Sequence, residues 1–309
     1  MKKLVLLICT TFVVFSCKDD KKDAVKNDSS NDTVSSIHIE PTQEDVGLWS
    51  GIFEADSVDY DKGDNWSLRN RISIVIQKIN SDNTVEGYSV SAGNIRPFKG
   101  DLVKEGNSRY VMANEPGDQK YDGTFKFNIS EKDDSIYGTW ISKRKDLPVL
   151  SRKFSLKKTA FNYNPKNILI QPKYGVGEEY ADEYDNVDWV NSKKEKYDVG
   201  EDGEEYFYDV QRSASDEIYK INGSTQKLTE KQLKNLHKLD LEIIRNTIYA
   251  RHGYSFANRG ARQFFDYVDW YVPLYTNVED KLSPTEKENI ALLKRFEKYA
   301  TDNYQQYGR

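Results

Sequence analysis

A period-two alternation between residues 46 and 160 restricts the fold of this chain more than any other feature. The segment Arg71–Ile79 shows it most clearly, because Ile72, Ile74 and Ile76 fall on one face of an extended strand. Similar runs, separated by polar turns, are Leu48–Phe53, Thr84–Val90, Phe98–Val103, Arg109–Met112, Tyr121–Ile129, Ser135–Ile141 and Arg152–Leu156. About eight strands joined by short turns predict an antiparallel meander. Closure of the meander into a barrel would remove its two free edges.

Two tryptophans mark the ends of this region. Gly47–Gly51, with Trp49 at its centre, resembles the opening of small lipocalin-like barrels, and Trp140 lies near the last strand. The resemblance implies a cup for a ligand. The alternative, which we favour, is a filled barrel in which both tryptophans belong to the core, because eight strands enclose room for either side chains or one small ligand.

The N-terminus, residues 1–16, has the features of an export signal. Lys2 and Lys3 precede an apolar stretch, Leu4–Phe15, whose twelve residues would rise roughly 18 Å as a helix. A bilayer core of about 30 Å requires a longer helix, so cleavage is expected rather than membrane spanning. The segment Val14–Cys17 resembles a bacterial lipobox, which implies that Cys17 is lipidated.

Cleavage before Cys17 would remove Cys9 and leave one cysteine, so no internal disulfide is expected in the mature chain. Several acyl chains, such as palmitate, on Cys17 would provide a stable membrane anchor. The next residues, Lys18–Asp20, resemble the export signal that sends lipoproteins of Bacteroidota-type bacteria to the outer face of the outer membrane. We therefore expect an outer-membrane lipoprotein and leave open whether it faces the periplasm or the surroundings.

Three segments carry little apolar periodicity. Residues 17–45 predict a disordered tether and residues 300–309 a tail. Residues 161–226 predict an acidic, tyrosine-rich linker. Within this linker, Tyr206–Val210 and Glu217–Ile221 have the alternation of strands and are expected to pair as a hairpin.

The pattern becomes helical from residue 228 onwards. Thr229 and Asp240 are predicted N-caps, Gly253 a predicted helix end, and Ser283–Glu286 a capping box with proline at the first helical position. A buried stripe is expected at Leu241, Ile244 and Ile248. A short helix is expected over Arg262–Val268. The predicted fold class is therefore α+β and multidomain, with an N-terminal antiparallel β meander or small barrel and a small all-α C-terminal domain.

The segment Leu241–Phe256, which contains the five residues Tyr249–Gly253, resembles the signature of the YARHG domain. The later pieces Phe264-Phe265 and Trp270–Pro273 agree with it in order and spacing. The resemblance covers about residues 227–299. It implies a small extracytoplasmic domain, often found in bacterial lipoproteins, without an established activity and without catalytic residues to transfer to this chain.

Arg245, Tyr249 and His252 recur at i, i+4 and i+7 and therefore share one stripe of a helix. Arg251 belongs to the last turn of this helix, where cations are favoured, and Tyr271 belongs to a segment expected to cover the same end. One hypothesis is that these five residues line a shallow notch for an anionic or sugar-containing envelope ligand. The alternative, which we favour, is a hydrogen-bonded network that stabilises a small core.

Catalytic constellations are not apparent. Outside the tether only His237 and His252 remain as histidines, and cysteine catalysis requires a thiol that the body of the chain lacks. We expect no enzyme, no cofactor and no metal. The formal net charge of −5 argues against a nucleic-acid partner. The expected partners are the membrane, through the N-terminal lipid, and an envelope polysaccharide or peptide.

The resulting expectation is a lipid-anchored, extracytoplasmic envelope protein with a binding or scaffolding role. Two alternatives remain open. One is a small-ligand carrier that uses the barrel interior, and the other is a hydrolase of cell-wall polymers, which would need only two of the many carboxylates on this acidic chain.

Overall fold

The computed structural model describes residues 45–105, 108–130, 132–170, 187–200 and 203–302. The predicted signal sequence, the predicted lipidation site Cys17, nearly all of the predicted tether and most of the tail lie outside the described residues. The same holds for the acidic run over residues 171–186. The two folded regions predicted from the sequence are both described.

Eight antiparallel strands form a closed barrel in chain order, and the last strand pairs with the first. The strands are β1 (Gly47–Val58), β2 (Arg69–Ile79), β3 (Thr84–Ser91), β4 (Asn94–Glu105), β5 (Ser108–Asn114), β6 (Gly123–Ile129), β7 (Ser135–Ser142) and β8 (Val149–Thr159). The closure leaves neither end strand with an unpaired edge, which confirms the predicted barrel.

The interior of the barrel is filled with side chains. Ile72, Ile74 and Ile76 point inward as the alternation of β2 predicted, and all three are buried. Trp49 is 1% exposed and Trp140 is 6% exposed, and both belong to the same apolar cluster. This packing agrees with the filled barrel that we favoured and gives no support to a carrier that uses the barrel interior.

A buried carboxylate fixes the position of Trp140. Glu115 accepts hydrogen bonds from Trp140 Nε1 at 3.0 Å, from the backbone N–H of Gly123 at 2.6 Å and from Ser89 Oγ at 3.1 Å. Burial raises the pKa of Glu115, and these three donors oppose that rise. Glu115 thus satisfies three buried donors near one end of the barrel, where an unpaired donor would be costly.

The predicted hairpin in the linker is wrong in its second strand. Strand β10 (Glu205–Ser213) pairs antiparallel with β9 (Val187–Val199), which precedes it, and not with residues 217–221. Glu217–Lys220 forms a single helical turn instead. The four-residue turn is too short to show helical periodicity, and most of β9 is exposed, so neither element carried a strong sequence signal.

The C-terminal region is helical, as predicted. The helices are α1 (Glu217–Lys220), α2 (Glu230–Leu233), α3 (Lys238–Arg251), α4 (Arg259–Phe265) and α5 (Pro284–Glu297). Helix α4 thus begins and ends three residues before the predicted Arg262–Val268. Among the described residues, no helix combines the length and apolar character needed to cross a membrane.

Most of the cap residues predicted from the sequence are found at the ends of these helices. Ser283 caps α5, and its backbone N–H donates to the Glu286 carboxylate at 2.9 Å. Helix α3 begins earlier than expected, because His237 occupies the N-cap and Asp240 stands three residues inside the helix. The Asp240 carboxylate accepts from the His237 backbone N–H at 2.8 Å, so it stabilises the helix start without being the N-cap residue.

Helix α3 is the centre of the helical domain. Leu241, Ile244 and Ile248 are buried along one stripe, as predicted. Gly253 follows the helix with φ of +76°, a left-handed conformation that glycine adopts without strain. The Gly253 carbonyl accepts the backbone N–H of Leu274 at 2.8 Å, so the segment after Trp270 covers this end of the helix.

The barrel contacts the helical domain through the turn between β3 and β4. The backbone N–H of Gly93 donates to Ser255 Oγ at 3.0 Å, and a Cβ on Gly93 would lie 2.7 Å from Ala257 Cα. On β2, Arg71 Nη2 donates to the carbonyl of Asp269 at 3.0 Å. These contacts join the two regions directly.

Candidate functional site

An open cleft of about 930 Å³ lies on the helical domain beside the β9–β10 hairpin. Residues of helix α3, of helix α4 and of the segment around Asn277 line it. We call it the α3 cleft. Among the residues that line it are Asn191, Lys193, Arg212, Lys238, Glu242, Arg245, Asn246, Tyr249, Tyr254, Phe256, Asn258, Phe264, Asn277, Glu279 and Asp302.

Two of the predicted site residues, Arg245 and Tyr249, line this cleft one helical turn apart on α3. Arg245 forms a bidentate ion pair with Glu297 of α5, with Nε to Oε1 at 2.6 Å and Nη2 to Oε2 at 3.1 Å. Its third nitrogen, Nη1, donates to Asn246 Oδ1 at 2.8 Å. The guanidinium is therefore held in a fixed orientation at the edge of the cleft.

Aromatic rings form one side of the cleft. The rings of Tyr249 and Tyr254 lie 5.8 Å apart, and Tyr254 meets Phe256 edge to face at 5.1 Å. Burial raises the pKa of the Tyr249 hydroxyl, and the nearby Glu279 carboxylate raises it further. The hydroxyl therefore stays protonated and able to donate a hydrogen bond.

Arg212 joins the hairpin to the helical domain at the other side of the cleft. It contacts Asp188 at 2.7 Å, Glu242 at 2.9 Å and Asp302 at 3.6 Å. Burial opposes the charged form of Arg212, but the hydrogen bonds to Glu242 and Asp188 raise its pKa above the ordinary value. Arg212 therefore stays a cation whose charge is already compensated.

The other three predicted residues lie inside the domain. Arg251 is 3% exposed and donates to the carbonyl of Asn167 at 2.7 Å and to Ser224 Oγ at 3.0 Å. Burial lowers the pKa of Arg251 to about 10. Tyr271 is 1% exposed, and its hydroxyl donates to the carbonyl of Tyr254 at 2.7 Å. Neither side chain has a surface to offer a ligand.

His252 is also buried. Its ring stacks on Tyr163 at 4.3 Å, and its Nε2 lies 3.0 Å from Glu286 Oε2. Burial acts to raise the pKa of Glu286, but the hydrogen bonds from His252 and Ser224 lower it to about 2. His252 thus belongs to a polar network in the interior.

The five predicted residues therefore do not share one surface notch, as the notch hypothesis required. Arg251, His252 and Tyr271 are each buried and hydrogen-bonded inside the domain, in line with the alternative, whereas Arg245 and Tyr249 line the α3 cleft. A ligand-binding role stays a prediction for the latter two.

Several residues of the cleft are not predicted from the sequence. Asn246 stands within the YARHG signature and next to Arg245, so the motif itself was an available signal. Arg212 and Asn191 gave no such signal, because they belong to the β9–β10 hairpin, which lies outside the YARHG signature.

An antiparallel β barrel joined to a small helical domain with an open cleft defines a two-domain α+β protein. Residues 217–298 match the model of the YARHG domain, so the chain carries this domain, and the match begins at α1 rather than near residue 227. The YARHG domain is typical of extracytoplasmic proteins. No curated protein and no solved structure matches the chain.

Proposed function

We propose that the protein is a lipid-anchored extracytoplasmic binding protein of the bacterial envelope, and that the α3 cleft of its YARHG domain holds a small polar ligand. The observation that carries the proposal is the composition of this cleft, in which amide and charged side chains stand beside the rings of Tyr249 and Tyr254. Its volume of about 930 Å³ falls within the range of roughly 300–1,000 Å³ of small-molecule sites.

Binding explains the charged residues of the cleft better than catalysis does. Both guanidinium groups, on Arg212 and Arg245, are engaged by carboxylates. A general acid or base must instead be able to reach a substrate and exchange a proton with it. Fixed ion pairs suit a rigid recognition surface, because they lose little side-chain freedom when a ligand binds.

The anchor is inferred from the N-terminal sequence. Cys17 follows an apolar stretch that is too short to span a bilayer, and acyl chains on it would hold the folded domains at the membrane. The body of the chain has a net negative charge, which anionic lipid head groups repel, so attachment through lipid rather than through surface charge is the consistent arrangement.

Metabolic labelling with an alkyne fatty acid tests the anchor. The wild-type chain is expected to incorporate the label and to fractionate with membranes, whereas Cys17→Ser is expected to lose both properties. Cys9→Ser, which changes the cysteine within the apolar stretch, is the matched control and is expected to behave as wild type. Membrane fractionation of Cys17→Ser without label would overturn the lipid anchor.

Calorimetric titration of the full chain in detergent tests the cleft. The probes are neutral tetrasaccharides, a uronic acid tetramer and an alanine tetrapeptide. At least one probe is expected to bind, and Tyr249→Leu is expected to weaken that binding at least fivefold because it removes both the ring and the hydroxyl. Binding that Tyr249→Leu leaves unchanged, or no binding by any probe, would overturn the role of the cleft.

A further inference from the structure

We infer that the ligand of the α3 cleft is a neutral oligosaccharide rather than an anion or a charged peptide. This inference rests on the proposed binding function and names the ligand class of the same site. Three features of the cleft carry it: compensated arginines, amide groups with unused hydrogen-bonding atoms, and aromatic faces.

The two arginines of the cleft are compensated within the protein. Arg245 is paired through two nitrogens with Glu297, and Arg212 contacts the carboxylates of Asp188, Glu242 and Asp302. An anionic ligand would have to displace these carboxylates or bind beside them, and either arrangement costs electrostatic free energy. The guanidinium groups are therefore poor anion receptors in this setting.

The charges in and around the cleft, taken together, have no positive surplus. Lys193 and Lys238 add two cations, and Glu279 adds another carboxylate at the rim of the cleft. The four cations of the lining thus face five carboxylates, when Asp188 and Glu297 are counted with those that line the cleft. A neutral ligand fits this balance without a net Coulombic penalty.

Asparagine side chains provide the hydrogen-bonding groups that such a ligand needs. The amide oxygens of Asn246, Asn277 and Asn258 each accept a hydrogen bond from the protein, from Arg245 Nη1, from the Glu279 backbone N–H and from the Ala261 backbone N–H respectively. Their amide nitrogens find no acceptor among the described residues. Three N–H₂ groups are thus available to sugar hydroxyl oxygens.

Asn191 supplies a hydrogen-bond acceptor that complements these three donors. Its amide nitrogen donates to Asp188 Oδ2 at 2.7 Å, which leaves its carbonyl oxygen as an acceptor at the hairpin side of the cleft. Donors and acceptors spread around one cleft match a ligand that carries many hydroxyl groups, since each hydroxyl both donates and accepts.

Aromatic rings supply the apolar contact. Tyr249, Tyr254 and Phe264 are partly exposed and line the cleft, while Phe256 and Phe265 support them from the core. The face of an aromatic ring is electron-rich and apolar, so it accepts the C–H face of a pyranose ring. The combination of ring faces with amides distinguishes a saccharide from a purely polar ligand.

Calorimetry with matched tetrasaccharides tests the inference. The full chain in detergent is titrated with cellotetraose, with the N-acetylglucosamine tetramer and with the galacturonic acid tetramer. At least one neutral tetramer is expected to bind, and the uronic acid tetramer at least tenfold more weakly. The neutral tetramer that binds with the higher affinity indicates whether the ligand derives from an amino-sugar polymer or from a glucose polymer.

Two variants locate the binding. Asn246→Ala is expected to weaken the neutral tetramer about fivefold, the effect of one lost hydrogen bond of about 1 kcal/mol. Asn162→Ala removes an exposed asparagine outside the lining of the cleft and is the matched control, expected to bind as wild type. Equal affinities of Asn246→Ala and wild type would overturn the assignment of the amides.

Glu297→Gln tests the compensation of Arg245. The substitution removes the negative charge that neutralises the guanidinium, so the ratio of uronic acid to neutral affinity is expected to rise about tenfold. If the uronic acid tetramer binds wild type as tightly as the neutral ones, and Tyr249→Leu abolishes it, the neutral-ligand inference fails while the binding function stands. If no probe binds, both fail.

Discussion

His252 Nε2 lies 3.0 Å from Glu286 Oε2, and this contact joins the end of α3 to the first turn of α5. The same carboxylate accepts the Ser283 backbone N–H at 2.9 Å, and its other oxygen accepts the Tyr163 hydroxyl at 3.0 Å. Glu286 is fully buried and serves both as a capping residue and as the partner of the histidine. One side chain thus fixes the relative position of two helices.

This relationship predicts an acid-sensitive helical domain. The pKa of Glu286 is lowered to about 2 in the folded chain, so the carboxylate contributes stability that is complete above its unfolded pKa and is lost as the pH falls from about 4.5 towards 2. The loss is expected to be about 3 kcal/mol. Urea denaturation between pH 2 and 7 measures it, and Glu286→Gln is expected to be less stable at pH 7 and to lose this dependence.

The control for this prediction is Glu288→Gln, on the same helix. Glu288 is exposed and pairs with Lys227 at the surface, so its removal is expected to change stability by less than about 1 kcal/mol and to keep the acid transition. An unaltered acid transition in Glu286→Gln would assign the sensitivity to other groups.

Adding a single methyl group at Gly93 is expected to lower the stability of the protein strongly. Its φ is +78°, and a Cβ there would meet Ala257 Cβ at 2.5 Å. Gly93→Ala is therefore expected to strain the backbone and to push the β3–β4 turn away from the helical domain, at a cost of about 2–4 kcal/mol. Scanning calorimetry measures the effect as a lower melting temperature.

Gly63→Ala is the control that separates backbone strain from the steric collision with Ala257. Gly63 also has a positive φ, +99°, but its Cβ would meet nothing within 4 Å. The backbone cost is at least as large at Gly63, because its ψ of 172° combined with a positive φ is essentially restricted to glycine, so an excess loss in Gly93→Ala reports the contact with Ala257. Equal losses in the two variants would mean that the turn does not press against the helical domain in solution.

The sequence predicted the elements whose burial is regular along the chain. Ile72, Ile74 and Ile76 define β2, and Leu241, Ile244 and Ile248 define α3, because each set follows the period of its own element. The β9 strand escaped prediction since its lysine-rich middle is exposed and has no apolar face. The partner of β10 is the preceding strand β9, and local periodicity does not report which neighbour a strand pairs with.

The residues of the candidate site also divide into those whose placement followed from the sequence and those whose placement depends on tertiary packing. The spacing of Arg245 and Tyr249 placed them on one face of α3, and the cleft lies along that face. The burial of Arg251 and His252 depends on Asn167, Ser224 and Glu286, which reach them from other segments. Only tertiary packing decides which side of a polar helix is covered.

The carboxyl group of Asp266, at the contact between barrel and helical domain, is expected to make stability depend on pH with the sign opposite to that of Glu286. Burial raises the pKa of this carboxyl group to about 7, although Arg262, Arg71 and Arg152 oppose the rise. A raised pKa contributes stability that is complete below the unfolded value near 4 and is lost as the pH rises through 7, with a slope of up to about 1.4 kcal/mol per pH unit.

Asp266→Asn is expected to remove this slope, because the amide does not titrate in this range. Asp269→Asn, which changes an exposed side chain on the same segment, is expected to keep it. Chemical denaturation at intervals between pH 4 and 8 measures both variants. A slope that persists in Asp266→Asn would show that another group at this contact binds the proton.

The same substitution at two arginines of α3 separates the buried network from the cleft. Arg251→Met leaves the Asn167 carbonyl and Ser224 without their donor in the interior, and is expected to cost about 2–4 kcal/mol. Arg245→Met breaks a bidentate, partly buried ion pair at the edge of the cleft and is expected to cost less, about 1–2 kcal/mol. Urea denaturation at pH 7 compares them. Equal losses would place Arg245 in the structural network and remove it from the candidate binding residues.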